Sequence, residues 1–186
     1  MSISPNRRVL AAALLMSKSP ASDQRRCGPD CHALSSVGAM ANTFFTIGHS
    51  TRTIVEFADL LQESGVNLVV DVRSILRART NPQFNQQGLP EALAPWQIGY
   101  EHIAELGGLR GNPRGAEPSR NAYWRVRSFR NYADYALTAP FAAGMARLRE
   151  RGSGHRCAIM CAEAVWWHCH RGIIAGDAHP RDVARR

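Results

Sequence analysis

Lysine is nearly missing from this chain: of its 23 basic residues only Lys18 is a lysine, and the rest are arginine. Long apolar runs are missing too. The longest, Val9 to Met16, falls well short of the ~20 residues that span a bilayer. It follows Arg7-Arg8 in the manner of an export signal, but Ser17-Lys18-Ser19-Pro20 is a poor cleavage context. A cytoplasmic protein with no membrane partner is therefore expected. The five cysteines are odd in number and three of them cluster near the end, so they read as free thiols and not as a disulfide framework. Internal repeats and low-complexity tracts are also lacking. What remains is the composition of a single globular domain. At 186 residues there is no room for two, and 45% hydrophobic against 20% charged residues excludes global disorder. The net charge of +8 permits an anionic partner, either a small phosphate-like ligand or a nucleic acid. Arginine standing for lysine on a solvated surface is the plainer explanation.

Residues 1–41 are rich in Ser, Ala, Pro and Arg, show no sustained period, and are expected to be a disordered or non-native extension. Cys27-x3-Cys31-His32 inside them lacks a second pair at metal spacing. Met40 precedes the first regular element, and translation is expected to start there. Residues 42–186 then read as one α/β domain, a single three-layer, Rossmann-like unit with a mostly parallel sheet.

Phe44 to Ile47 is a short buried strand ending at Gly48. Thr53-x-x-Glu56 is a capping box, and Ile54, Phe57, Leu60 and Leu61 follow at helical spacing until Gly65 ends the helix. Val66 to Val72 is almost wholly apolar, as a central parallel strand covered on both faces must be. A helix over Leu89 to Trp96 and a weaker strand over Tyr100 to Ile103 come next, then a Gly-, Pro- and Arg-rich loop over 104–128. Phe129 to Glu150 is helical with a break at Thr138-Ala139-Pro140, Arg156 to Met160 is a buried strand, and His168 to Ala175 opens a last helix. Strand and helix alternate, which implies a parallel sheet with right-handed crossovers.

Ligands of such sheets bind beyond the carboxyl ends of the strands. Those ends carry His49-Ser50, Asp71 and Arg73, His102, and Cys161-Ala162-Glu163. The segments TIGHST (46–51), DVR (71–73), NPQF (81–84), HIAELGG (102–108), FRNYADY (129–135), MCAE (160–163) and CHR (169–171) occur in that order. Together they resemble the DUF488 family, a bacterial and archaeal group named for its unknown function. The resemblance spans roughly residues 43–175 and implies a compact cytoplasmic α/β domain with no established activity. Such proteins continue past the CHR segment with a longer helix and a final strand. Here Gly176 and Pro180 oppose helix, and the closing strand is expected to be missing.

Three constellations carry chemistry. His49 and Ser50 precede a capped helix whose N–H groups suit an anion, and His49 titrates near neutrality; the alternative is a histidine bonded only to loop backbone. Asp71 and Arg73 either pair internally or work on a ligand, Arg73 gripping an anion while Asp71 takes a proton. Cys161, Glu163, Cys169, His170 and Arg171 form the densest group. It reads as a thiolate nucleophile at Cys161 or Cys169, as zinc held by both cysteines with His170 and perhaps His49, or as packed thiols beside a Glu163–Arg171 pair. The leading expectation is an enzyme on a small phosphate- or nucleotide-like substrate, with no cofactor assignable. His49, Asp71 and Glu163 would move protons, and Ser50, Arg73, His102 and Arg171 would hold the substrate. The alternatives are a non-catalytic nucleic-acid module using the arginines of 106–130, and a thiol or metal protein.

Overall fold

The structure is a computed structural model, and it describes residues 44–111, 121 and 125–178. The expected extension over 1–41, Met40 and the last residues from 179 lie outside the described residues. Four strands, β1 (Phe45–Gly48), β2 (Leu68–Asp71), β3 (Gly99–His102) and β4 (Cys157–Cys161), form one sheet in the order β1-β4-β2-β3. Every pairing is parallel, with Phe45 opposite Ala158 and Asp71 opposite both Met160 and His102. All four carboxyl ends therefore point to one rim. Among the described residues no strand follows β4, and no helix is long and apolar enough to cross a membrane.

Among the described residues, five α-helices cover the sheet: α1 (Ile54–Glu63), α2 (Leu89–Leu93), α3 (Arg127–Tyr135), α4 (Ala139–Gly154) and α5 (Arg171–Ala178). The period of two in β2 and β4 divides the core. Val69, Ala158 and Met160 pack with Phe57, Leu61, Phe84 and Leu93 on the face of α1 and α2. Val70, Val72, Cys157 and Ile159 pack with Tyr132, Phe141, Met145, Leu148 and Ile174 on the face of α3, α4 and α5. The chain is thus a three-layer α/β domain.

Local sequence sets the element ends. Thr53 and Glu56 exchange the reciprocal bonds of a capping box at the start of α1. Gly65 takes a left-handed φ of 63° after α1, where its N–H reaches the Gln62 carbonyl and that of Val66 reaches Leu61, closing the helix as glycine allows. The break between α3 and α4 falls at Thr138, which is extended at the N-cap position, but its hydroxyl donates to the Tyr135 carbonyl and finishes α3 instead of capping α4. Tyr132 and Tyr135 donate to the carbonyls of Leu106 and Glu105, tying α3 to the chain just after β3.

Because the Thr53 hydroxyl accepts the Glu56 N–H and donates to the Glu56 carboxylate, Thr53→Ala is expected to lower stability by about 1 kcal/mol. Equilibrium urea unfolding of the two proteins checks this; an unchanged midpoint contradicts it.

Candidate functional site

The end of β2 is a buried polar hub. Asp71 is fully buried, and Arg73 is 4% exposed. Arg73 Nε and Nη2 donate to the two carboxylate oxygens at 3.0 and 2.7 Å, and the Tyr100 hydroxyl donates to Oδ2 at 2.8 Å. The rest of the guanidinium is also occupied: Nη2 donates to the Phe84 carbonyl and Nη1 to His49 Nε2 at 3.2 Å. His49 Nδ1–H donates to the Ser50 carbonyl, so the ring is neutral with its acceptor nitrogen on Arg73. Burial holds the His49 pKa below its ordinary value, and the nearby Arg73 charge adds to this. Phe84 stacks on the ring at 4.4 Å. His102 Nε2–H donates to the Arg73 carbonyl. Ser50 adopts a φ of 47°, uncommon for a residue with a side chain, and its N–H meets the Ala162 carbonyl.

A second cluster sits where β4 and α5 meet. Cys161 Sγ, Cys169 Sγ and a ring nitrogen of His170 all lie within 4.8 Å of one another. His170 Nε2 lies 2.9 Å from the Val72 carbonyl; a carbonyl only accepts, so Nε2 carries a hydrogen and Nδ1 faces Cys169 Sγ at 3.5 Å. Arg171 is 1% exposed, and it donates from Nε to Cys169 Sγ at 3.4 Å and from Nη2 to the Glu163 backbone carbonyl. That buried guanidinium is always charged, and the group its Nε meets is the Cys169 sulfur. The hydrogen bond from Cys161, then those from His170 and the Arg171 backbone, hold the Cys169 pKa well below the thiol range against the effect of burial. The same bond and burial push Cys161 up. A Cβ on Gly108 would lie 2.3 Å from His170 Nδ1, so only glycine lets the segment after β3 press on that ring.

Above this cluster opens a cavity of about 350 Å³. Cys161, Cys169 and His170 line it, with Ser74, Leu109, Tyr132, Glu163 and His168. Glu163 is exposed, and among the described residues its carboxylate accepts no hydrogen bond.

The rim expected from sequence thus divides in two. His49, Asp71, Arg73 and His102 join one network, in which both nitrogens of His49 and all of the Asp71 and Arg73 polar atoms already hold partners. Cys161, Cys169 and Arg171 join the other, and Glu163 meets Arg171 through its backbone carbonyl and not its carboxylate. The described residues able to hold a soft cation are Cys161, Cys169 and His170; His49, bonded to Arg73, is not among them, and a dication there would face the Arg171 guanidinium. Tyr100 and Gly108 escaped sequence reasoning. Tyr100 could have been sought as the extra donor a buried Asp needs, but nothing local singles it out, and Gly108 carried only its place in the HIAELGG segment. Of the arginine-rich segment, Arg110 stacks on the Tyr135 ring and bonds three backbone carbonyls, while Arg114 and Arg120 lie outside the described residues.

Removing one partner of a buried ion pair strands the other, so Asp71→Ala is expected to cost about 3–5 kcal/mol. Thermal and urea unfolding would reveal it; a loss below about 1 kcal/mol would show that Arg73 finds other compensation.

No curated protein and no solved structure matches the chain. A family model described as a domain of unknown function, DUF488, matches residues 53–177, from the α1 cap into α5. That match holds β2, β3, β4, the buried hub at Asp71 and both clustered thiols, and on it the chain belongs to the DUF488 family.

Proposed function

We propose that this chain is an enzyme that uses Cys169 as a nucleophilic thiolate toward a small electrophilic substrate in the cavity above it. One observation carries the reading: Cys169 Sγ faces His170 Nδ1 and receives Arg171 Nε–H, while the ring is oriented by Nε2–H on the Val72 carbonyl, which places Nδ1 to take the Cys169 proton and donate it back to the sulfur as a hydrogen bond. A thiolate is the reactive form of cysteine, and a cation and an oriented imidazole beside it are how such a group is kept ionised near neutrality. The cavity suits a molecule of metabolite size. Glu163, exposed on its lining, is the carboxylate placed to move a proton on a bound substrate.

A phosphate- or nucleotide-like substrate gains less support. Its two expected anion grips, Arg73 and Arg171, would have to leave internal acceptors to reach it. Ser74 and His168 on the cavity wall remain for that purpose.

Iodoacetamide alkylation tests the reading. With its pKa lowered in the folded state, Cys169 is already ionised at neutral pH, so its alkylation rate stays nearly flat from about pH 8 down to about pH 6, where an ordinary thiol slows about tenfold per unit. A tenfold fall per unit at Cys169, followed by peptide mass spectrometry, contradicts the proposal. Gly108→Ala drives a methyl into His170 and is expected to slow alkylation about tenfold while leaving the protein folded by circular dichroism. An unchanged rate would separate His170 from the reactivity of the thiol.

A further inference from the structure

We propose that Cys169 and Cys161 act as an attacking and a resolving thiol in the reduction of small hydroperoxides. The inference rests on the nucleophile reading above and adds the substrate class and a second chemical step.

The two sulfurs lie within 4.8 Å of each other, and a disulfide needs about 2 Å, a distance that side-chain rotation can close. They arrive from separate elements, Cys161 from the last residue of β4 and Cys169 from the turn before α5, and both line the same cavity. Cys157, at the other end of β4 on the same face, packs among Val70, Leu148 and Ile159, and its Sγ meets the His155 carbonyl instead of a second thiol. Access selects the oxidant. Cys169 is 3% exposed and Cys161 7%, so a peroxide entering the cavity reaches sulfur, whereas a disulfide carried on another folded protein does not.

The steps balance. Cys169 thiolate attacks the outer oxygen of ROOH; the S–O bond forms, the O–O bond breaks, and the departing alkoxide takes a proton to leave as ROH. The sulfur is oxidised by two electrons and the peroxide is reduced by two. The Cys161 thiol then attacks the sulfenic sulfur; the S–S bond forms, and hydroxide leaves with the Cys161 proton as water. Two equivalents of a small thiol restore both cysteines and leave as their own disulfide. Arg171 Nε–H, already on Cys169 Sγ, stabilises the attacking thiolate and stands beside the negative charge that develops on the leaving oxygen.

The experiment uses the full, reduced chain with hydrogen peroxide and with cumene hydroperoxide. Mass spectrometry is expected to find a disulfide joining Cys161 to Cys169, formed at least about tenfold faster than free cysteine is oxidised under the same conditions. In Cys161→Ala, dimedone is expected to trap a sulfenic acid at Cys169, and no intramolecular disulfide should form. Fast alkylation of Cys169 by iodoacetamide with both thiols surviving peroxide overturns this inference and leaves the nucleophile reading standing. Slow alkylation together with surviving thiols overturns both. A chain that purifies with one equivalent of zinc on Cys161 and Cys169, lost only to a chelator, also overturns the peroxide chemistry.

Discussion

The carboxylate of Asp71 has no contact with water, and the upper part of the domain is arranged around that burial. An isolated charge in such a place costs more than a domain's whole net stability, so it exists only with partners supplied. Arg73 covers both oxygens and Tyr100 adds a third donor. The guanidinium must then satisfy its remaining N–H groups, and it takes the Phe84 carbonyl and His49 Nε2. This draws the segment after β2 and the end of β1 into one rigid unit. The carbonyls of Val72 and Arg73 become fixed acceptors, and each orients one histidine, His170 and His102. The thiol cluster is therefore tied to the buried hub through the Val72 carbonyl.

That arrangement separates two jobs which the residue types alone leave merged. His49, Asp71, Arg73 and Arg171 are all of kinds that catalyse or bind, and all four are nearly fully buried. Their polar atoms meet one another, backbone, the Tyr100 hydroxyl or the Cys169 sulfur. The groups that meet the cavity include two sulfurs, the oriented His170 imidazole, the exposed Glu163 carboxylate, and Ser74 and His168. Arginine beside a thiolate, not arginine beside a bound anion, is what the geometry of Arg171 supports.

The architecture was legible because its signals are local. The Thr53–Glu56 box, Gly65, the apolar run before Asp71 and the break at Thr138 each depend on residues a few positions apart, and periodicity separated β2 from α1. The site was legible only as a set of strand ends. Which of those side chains face each other depends on β4 lying between β1 and β2, a pairing between residues as distant as Phe45 and Ala158. No local pattern encodes it. The role of Tyr100 stayed hidden for the same reason, since it reaches Asp71 across two adjacent strands. Thr138 shows the reverse case: its position was readable, but its hydroxyl bonds back to the Tyr135 carbonyl and not forward to the first turn of α4, a local choice the residue type alone leaves open.

The insertion of β4 into the middle of the sheet has a consequence for how the domain comes into being. β1 and β2 are not neighbours in the sheet; β2 can pair with β3, but β1 and β2 are joined only by β4, which is synthesised after the other three strands. Such distant pairings close slowly, because loop entropy is lost before any contact compensates it. The sheet and the thiol cluster are then completed by the same stretch of polypeptide, so the segment that brings the two sulfurs together is also the one that joins β1 to the rest of the sheet.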